Sequence, residues 1–130
     1  MSAERRGDPV AGRVRCLIVD DDERFLAAAQ GYLTNGGVDV VGTATNQADA
    51  LRQADSLQPD VVLVDIMLGD ESGFVLALRL VESLPELDGR VMLISTHDED
   101  DFADLIAESP AVGFIPKISL SVRTIHNLLA

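Results

Sequence analysis

Polar and apolar positions along this chain follow two rhythms. Short continuous apolar runs recur, and between them apolar residues return every three or four positions. RCLIVDDDE (15–23) is an apolar run that ends in three acids. ERFLAAAQGYLTN (23–35) sets Phe25, Leu26, Ala29, Tyr32 and Leu33 on a helical period and closes at Gly36-Gly37. VDVVGTA (38–44) reads as a strand. Asn46 with Asp49 predicts a cap on QADALRQADSL, a helix that buries Ala50, Leu51 and Ala54. Pro59 ends that unit, and DVVLVD (60–65) is a continuous aliphatic strand. GFVLALRLVESL (73–84) predicts a helix with Phe74, Ala77, Leu78 and Val81 inward. Pro85 and Gly89 punctuate the return to RVMLIST (90–96), a fourth strand. Asp98 is placed to cap DEDDFADLIAES, whose apolar face is Phe102, Leu105 and Ile106, and Ser109-Pro110 breaks it. VGFIP (112–116) is a short fifth strand. Ser119 is placed to cap LSVRTIHNLLA, with Val122, Ile125, Leu128 and Leu129 on one face.

Five apolar strands alternating with five amphipathic helices predict an α/β fold, a parallel sheet covered on both faces. Its crossovers are right-handed. In such a sheet, ligands bind in the crevice beyond the carboxyl ends of the strands. There is no repeat and no internal linker, so residues 14–130 read as one domain and residues 1–13 as a mobile tail.

Composition narrows the picture. A chain of 130 residues with 47% hydrophobic content is long and apolar enough for one substantial core. No apolar run approaches a membrane span. The first residues carry arginines with no apolar stretch behind them, so they are not a secretory signal. Cys16 stands alone in an apolar run, which fits a buried thiol in a reducing cytoplasm. The net charge of −12 argues against non-specific nucleic-acid binding, which needs clustered Lys and Arg. Residues 98–104 hold five acids in seven positions. They read as a solvated helix start, where acids suit the helix dipole, with a specific basic partner as the alternative. The chain has nine arginines and a single lysine, Lys117.

Candidate chemistry collects at the strand ends. A buried carboxylate without a partner is costly, yet Asp65 closes a fully aliphatic strand. It is either a turn or cap acid or part of a charged site. The first strand ends at Asp20, Asp21 and Asp22, the fourth at Ser95 and Thr96, and the fifth at Lys117. Where those strands are neighbours, the side chains converge on one crevice. Clustered carboxylates raise one another's pKa, and a hard divalent cation relieves the repulsion. Mg²⁺ suits two adjacent acids and a third from another strand, because it binds through few carboxylates and a phosphate. A lysine opposite supplies a point charge for a phosphate oxygen, and a serine hydroxyl can donate to another. Carboxylates also act as nucleophiles that form aspartyl-phosphates. Asp22 reads as a helix N-cap, and His126 as a helix-surface residue.

These residues resemble the receiver domain of bacterial two-component response regulators. VDD at 19–21, VDI at 64–66, IST at 94–96 and GFIPK at 113–117 match its four signature positions in order, over roughly residues 14–130. VDVVGTATNQADAL followed by PDVVLVDI resembles the subgroup fused to helix-turn-helix output domains. The resemblance implies a doubly wound, flavodoxin-like (βα)5 fold with strand order 2-1-3-4-5. It implies that Asp65 accepts a phosphoryl group from a histidine kinase or phosphotransfer protein. It implies that Asp21 ligates Mg²⁺ directly, Asp20 through water, and Met67 through its backbone carbonyl. Ser95 and Lys117 would contact the phosphoryl group, and Phe114 falls at the switch aromatic. The position of His97 varies in the family and tunes how fast the phosphoryl group is lost; the residue otherwise reads as surface. Met67 is also placed to shade the site. A further expectation is a cytoplasmic signalling role without turnover of other substrates. Oligomeric state is open between a homodimer through helix 4, strand 5 and helix 5, common in the family, and a monomer kept apart by repulsion of the acids of 98–104 across a twofold axis. No membrane contact and no direct nucleic-acid binding by this chain are expected.

Three departures stand out. Gly69 replaces a frequent proline four residues after the acceptor, which implies a more mobile loop. Thr96 replaces a small residue and would crowd the phosphodonor. Pro116 precedes Lys117 and Ile118 follows it, where the family often has a cis proline, so that bond's isomer is open. A stand-alone receiver and one domain of a longer regulator both fit, with a downstream protein or an output domain as the reader. Two other readings compete: a phosphatase-like hydrolase using the D-x-D spacing of Asp20 to Asp22, and a receiver-like module that no longer switches.

Overall fold

The computed structural model describes residues 13–129. The tail expected over residues 1–13 lies outside the described residues except for Arg13, as does Ala130. Five strands carry the sheet: β1 (Arg15–Val19), β2 (Asp39–Ala44), β3 (Val61–Asp65), β4 (Val91–Ser95) and β5 (Gly113–Pro116). They pair in parallel in the order β2-β1-β3-β4-β5, as the family resemblance implies. The helices are α1 (Glu23–Asn35), α2 (Gln47–Leu57), α3 (Gly73–Ser83), α4 (Ala103–Glu108) and α5 (Val122–Leu129).

The strands bury both faces because both parities are apolar. Leu17 and Val19, Val62 and Val64, and Val91 and Leu93 join Ala50, Ala54, Leu76 and Leu80 in one core layer. Cys16 and Ile18, Val61 and Leu63, and Met92 and Ile94 join Leu26, Ala29, Leu33 and Ile125 in the other. Each fully buried Val, Leu or Ile side chain contributes on the order of 1.5–3 kcal/mol. The alternation also sets the strand ends. Asp20 and Asp65 continue the rows of Ile18 and Leu63, on the side of α1 and α5. Ser95 continues the row of Leu93, on the side of α3 and α4.

Helix starts are closed by short polar side chains in α1, α2, α3 and α5. Asp22 accepts from the backbone N–H groups of Arg24 and Phe25, Asn46 from Asp49, and Ser72 from Phe74 and Val75. Asp98 caps nothing, contrary to expectation. A 3-10 turn (Glu99–Phe102) takes the first residues of that segment, and α4 starts only at Ala103. Ser119 does not cap α5 either. Ser121 does, donating and accepting reciprocally with Thr124 in a capping-box arrangement: Ser121 N–H to Thr124 Oγ1 at 2.9 Å, Thr124 N–H to Ser121 Oγ at 3.2 Å.

Three helix faces differ from expectation, and on α4 the difference is that Leu105 is exposed. Tyr32 is exposed, while Leu26, Ala29 and Leu33 are buried. α3 buries Leu76, Ala77 and Leu80 and exposes Leu78, because its run is apolar all round and packing on the sheet selects the face. Residues 67–72, expected to form a more mobile loop, instead close a small antiparallel ladder, Met67 with Ser72 and Leu68 with Glu71. Gly69 turns it with φ of +64°, a conformation that favours glycine. Glu71 then accepts from the N–H of Gln47 at 2.8 Å, tying the ladder to the start of α2. No cis peptide occurs among the described residues, so Lys117–Ile118 is trans. No helix among them is long and apolar enough to cross a membrane.

Candidate functional site

The carboxyl ends of β1, β3, β4 and β5 open into a cleft of about 290 Å³. Its walls bring together Asp20, Asp21, Asp22, Asp65, Met67, Gly69, Ser95, Thr96, His97 and Lys117. The strand-end residues expected to share a crevice thus do so.

Asp65 ends β3 opposite Ile94 of β4 and is buried. Its Oδ1 accepts from the Met67 N–H at 3.2 Å, and its Oδ2 accepts from Lys117 Nζ at 3.1 Å. Lys117 Nζ also lies 2.6 Å from Asp20 Oδ2. Asp20 Oδ2 is buried, and that ammonium is its one partner among the described residues. Asp20 Oδ1 accepts from the Asp22 N–H at 2.9 Å. One ammonium therefore answers two buried carboxylates from different strands. Its own position is shared with an aromatic ring, since Lys117 Nζ lies 4.5 Å from the centroid of Phe25.

The electrostatics follow from that geometry. Burial pushes the Asp20 carboxyl up to about 6, against the pull of Lys117 and the Asp22 N–H, and the Asp65 charge adds to the rise. Burial pulls the Lys117 ammonium down, but the bonds and charges of Asp20 and Asp65 outweigh it and hold its pKa above the ordinary lysine value. Ligand oxygens of Asp20, Asp21 and Asp65 lie within 4.8 Å of one another. An all-oxygen set of three acids, two of them buried and answered by one ammonium, fits a hard divalent cation. Asp21 is exposed and free to turn toward it, while Asp22 is occupied as the cap of α1.

Ser95 is buried and faces away from the acids. Its Oγ accepts from the His97 N–H at 2.9 Å and lies 3.4 Å from His97 Nδ1. The His97 ring stands edge-on to Phe102, with centroids 5.8 Å apart. His97 is thus solvent-exposed as expected, yet bonded into the site. Thr96 and Met67 are exposed on the cleft wall. Phe114 pairs with Leu93 on the edge strand β5 and is half-buried outside the cleft lining. His126 is exposed on α5.

The sequence reading assigned Phe25 to the helix core and missed it at the site. Its signal was position: Phe25 lies one helical turn beyond Asp21, on the first turn of the helix that the acidic run opens. Gly73 was also missed. A Cβ there would run into the Asp65 carbonyl oxygen and lie 2.8 Å from the Ile66 Cα, so α3 begins against the backbone of Asp65 only because that residue is glycine.

Comparison with known proteins agrees with this geometry. The family model described as the response regulator receiver domain matches residues 16–129. The response regulator GacA of Pseudomonas viridiflava is 30% identical over 105 residues, covering 80% of this chain and 48% of that protein. The solved signal receiver domain of the putative response regulator NarL from Mycobacterium tuberculosis is 34% identical with a TM-score of 0.75, covering 90% of this chain and 94% of that one. A response regulator from Burkholderia pseudomallei, solved with a phosphorylated aspartic acid, calcium ion and citrate, is 25% identical with a TM-score of 0.76, covering 90% of this chain and 66% of that one. The chain spans about half the length of the curated relatives it matches.

Proposed function

The chain belongs to the response regulator receiver domain family, and from that premise we propose that it is a phosphorylatable switch with Asp65 as its acceptor. The observation that carries the reading is the single lysine bridging Asp20 and Asp65 beside Asp21. The phosphorylated aspartic acid of the Burkholderia pseudomallei relative supports it.

In this reading an Asp65 carboxylate oxygen attacks the phosphorus of a phosphohistidine on a histidine kinase or phosphotransfer protein. A P–O bond forms, the P–N bond breaks, and the leaving imidazole takes a proton. Mg²⁺ would be held by Asp21, Asp65 and the Met67 backbone carbonyl, with Asp20 through water; when bound, it neutralises charge on the carboxylates and on the phosphoryl oxygens. The Met67 N–H orients Asp65 through Oδ1. Lys117 stabilises the incoming charge by donating to a phosphoryl oxygen. Ser95 leaves His97 and donates to another. Thr96 and Met67 narrow the donor's approach, and His97 meters loss of the group. Phe114 repacks on β5, and the face of α4, β5 and α5 reports the change to a downstream protein or output domain, or to a second copy. The chain works in the cytoplasm and turns over no other substrate.

Intact-protein mass after incubation with phosphoramidate and Mg²⁺ tests this. The wild type gains one phosphoryl group and Asp65→Asn gains none. Modification of Asp65→Asn at the wild-type rate would end the proposal. Phosphate-ester turnover lost on Asp20→Asn but kept in Asp65→Asn would replace it with a hydrolase.

A further inference from the structure

The geometry points to a second surface, the groove between α3 and α4, as a docking site for a basic amphipathic helix from another protein. Large apolar side chains exposed singly need no explanation, but exposed ones gathered in a groove do. Val75 and Leu78 on α3 are each 47% exposed, and Leu105 on α4 is 50% exposed. They line one groove of about 230 Å³ with Phe74, Glu108 and Pro110. The other exposed large apolar residues, Tyr32, Met67, Val112 and Ile118, do not line it.

Charge selects the occupant. Glu108 lines the groove, Asp101 of the preceding 3-10 turn and Asp104 of α4 share a neighbouring hollow with Leu105, and Glu82 lies one turn beyond Leu78 on α3. Among the described residues none of these acids lies within ion-pair distance of a basic side chain, and Arg79 of α3 is turned to α2, where it donates to Gln47 Oε1 at 3.3 Å. An apolar floor between two helices with an acidic border matches a helix that carries apolar residues at i, i+3, i+4 and i+7 and Lys or Arg beside them. A second copy would set acids against acids, which opposes pairing through this face. The groove is also continuous with the phosphoryl site. Phe74 lies 6.1 Å from the Phe102 ring, which meets His97, whose N–H bonds Ser95 Oγ. That continuity gains meaning from the proposed function; the docking itself stands apart from it.

The test uses a synthetic peptide with leucines at that helical spacing and lysines between them, and a second peptide of the same composition with the leucines scrambled. Binding is read at about 0.15 M salt, where exposed charges beyond roughly 8 Å are screened. The patterned peptide should bind about tenfold more tightly than the scrambled one. Amide shifts on binding should map to α3 and α4. The double variant Leu78→Ser, Leu105→Ser should lose about tenfold in affinity, while Tyr32→Ser keeps it. Leu78 and Leu105 are exposed, so the double variant retains its core. Equal binding of both peptides would reduce the effect to non-specific charge attraction and overturn the inference. So would amide shifts confined to other elements. Self-association of the protein that Leu78→Ser, Leu105→Ser abolishes would assign the groove to a second copy instead. None of these outcomes depends on phosphorylation, so failure here leaves the test of Asp65 untouched.

Discussion

On the β1–β3 side of the crevice, the acids stand on strands with no exposed residue from Cys16 to Asp20 or from Val61 to Asp65, and α1 and α3 open on the side-chain caps Asp22 and Ser72. On the β4–β5 side, β4 is buried throughout, but beyond it α4 buries no residue, lacks a side-chain cap and starts behind a 3-10 turn, while β5 is buried only at Ile115. Ile118, just past Lys117, is 96% exposed. Chemistry that needs fixed geometry therefore sits on the well-buried side. The segments that Ser95 and His97 touch belong to the side with least buried apolar surface, where local opening costs least. Lys117 crosses between them, reaching from the loosely held edge to the acids of the firm one.

Removing that crossing is the largest disturbance. Lys117→Met leaves the Asp20 and Asp65 carboxylates buried without their counter-charge, and breaking such a pair costs about 3–5 kcal/mol. Urea unfolding in metal-free buffer should show that loss, and added Mg²⁺ should recover more stability in the variant than in the wild type. A variant as stable as wild type without metal would mean that the lysine does not hold the acids together.

Gly73→Ala strikes the firm side from within. The new Cβ meets backbone rather than a side chain that can swing away, so overpacking costs about 1–3 kcal/mol and displaces Asp65. Phosphorylation should slow along with the loss of stability. Gly31→Ala is the matched control: nothing lies within 4 Å of its Cβ position. Alanine in the interior of α1 should then stabilise by up to about 1 kcal/mol. Equal behaviour of the two variants would show that α3 has room at its start.

Phe25→Leu removes the ring under the ammonium, worth about 0.5–2 kcal/mol where the cation is desolvated. The expected signature is slower phosphorylation with little change in unfolding midpoint, restored by Phe25→Trp. Slowing that Trp does not restore would assign Phe25 to packing alone.

These contrasts mark what could be read from the residues. Alternating elements and the chemistry of the strand ends were legible, because carboxyl-edge topology, with the strand order that the family resemblance implies, brings the ends carrying Asp20, Asp65, Ser95 and Lys117 to one crevice. The inward face of α3 was not, because FVLALRLV is apolar on every side and periodicity cannot choose Leu76 over Leu78. The ring beneath Lys117 was not, because a pairing across most of the chain leaves no local pattern. The turn of Ser95 toward His97 depends on which sheet face the strand's last residue meets, and that needs the register of β4.

The smallest effect separates the two sides most cleanly. Ser72→Ala removes the acceptor for the Phe74 and Val75 N–H groups at the start of α3 and should cost about 1 kcal/mol. Asp98→Ala removes a residue with the same sequence signature, a short polar side chain ahead of an apolar period, but with no hydrogen bond to the helix it precedes. Only its favourable charge near the helix start is lost, on the order of 0.3 kcal/mol at this exposed position. Urea midpoints should therefore fall clearly for the first variant and hardly move for the second. Amide exchange in α4 should exceed that in α1 and α3 in both proteins. A loss at Asp98 as large as at Ser72 would mean that α4 is capped in solution and that the two sides of the crevice are held alike.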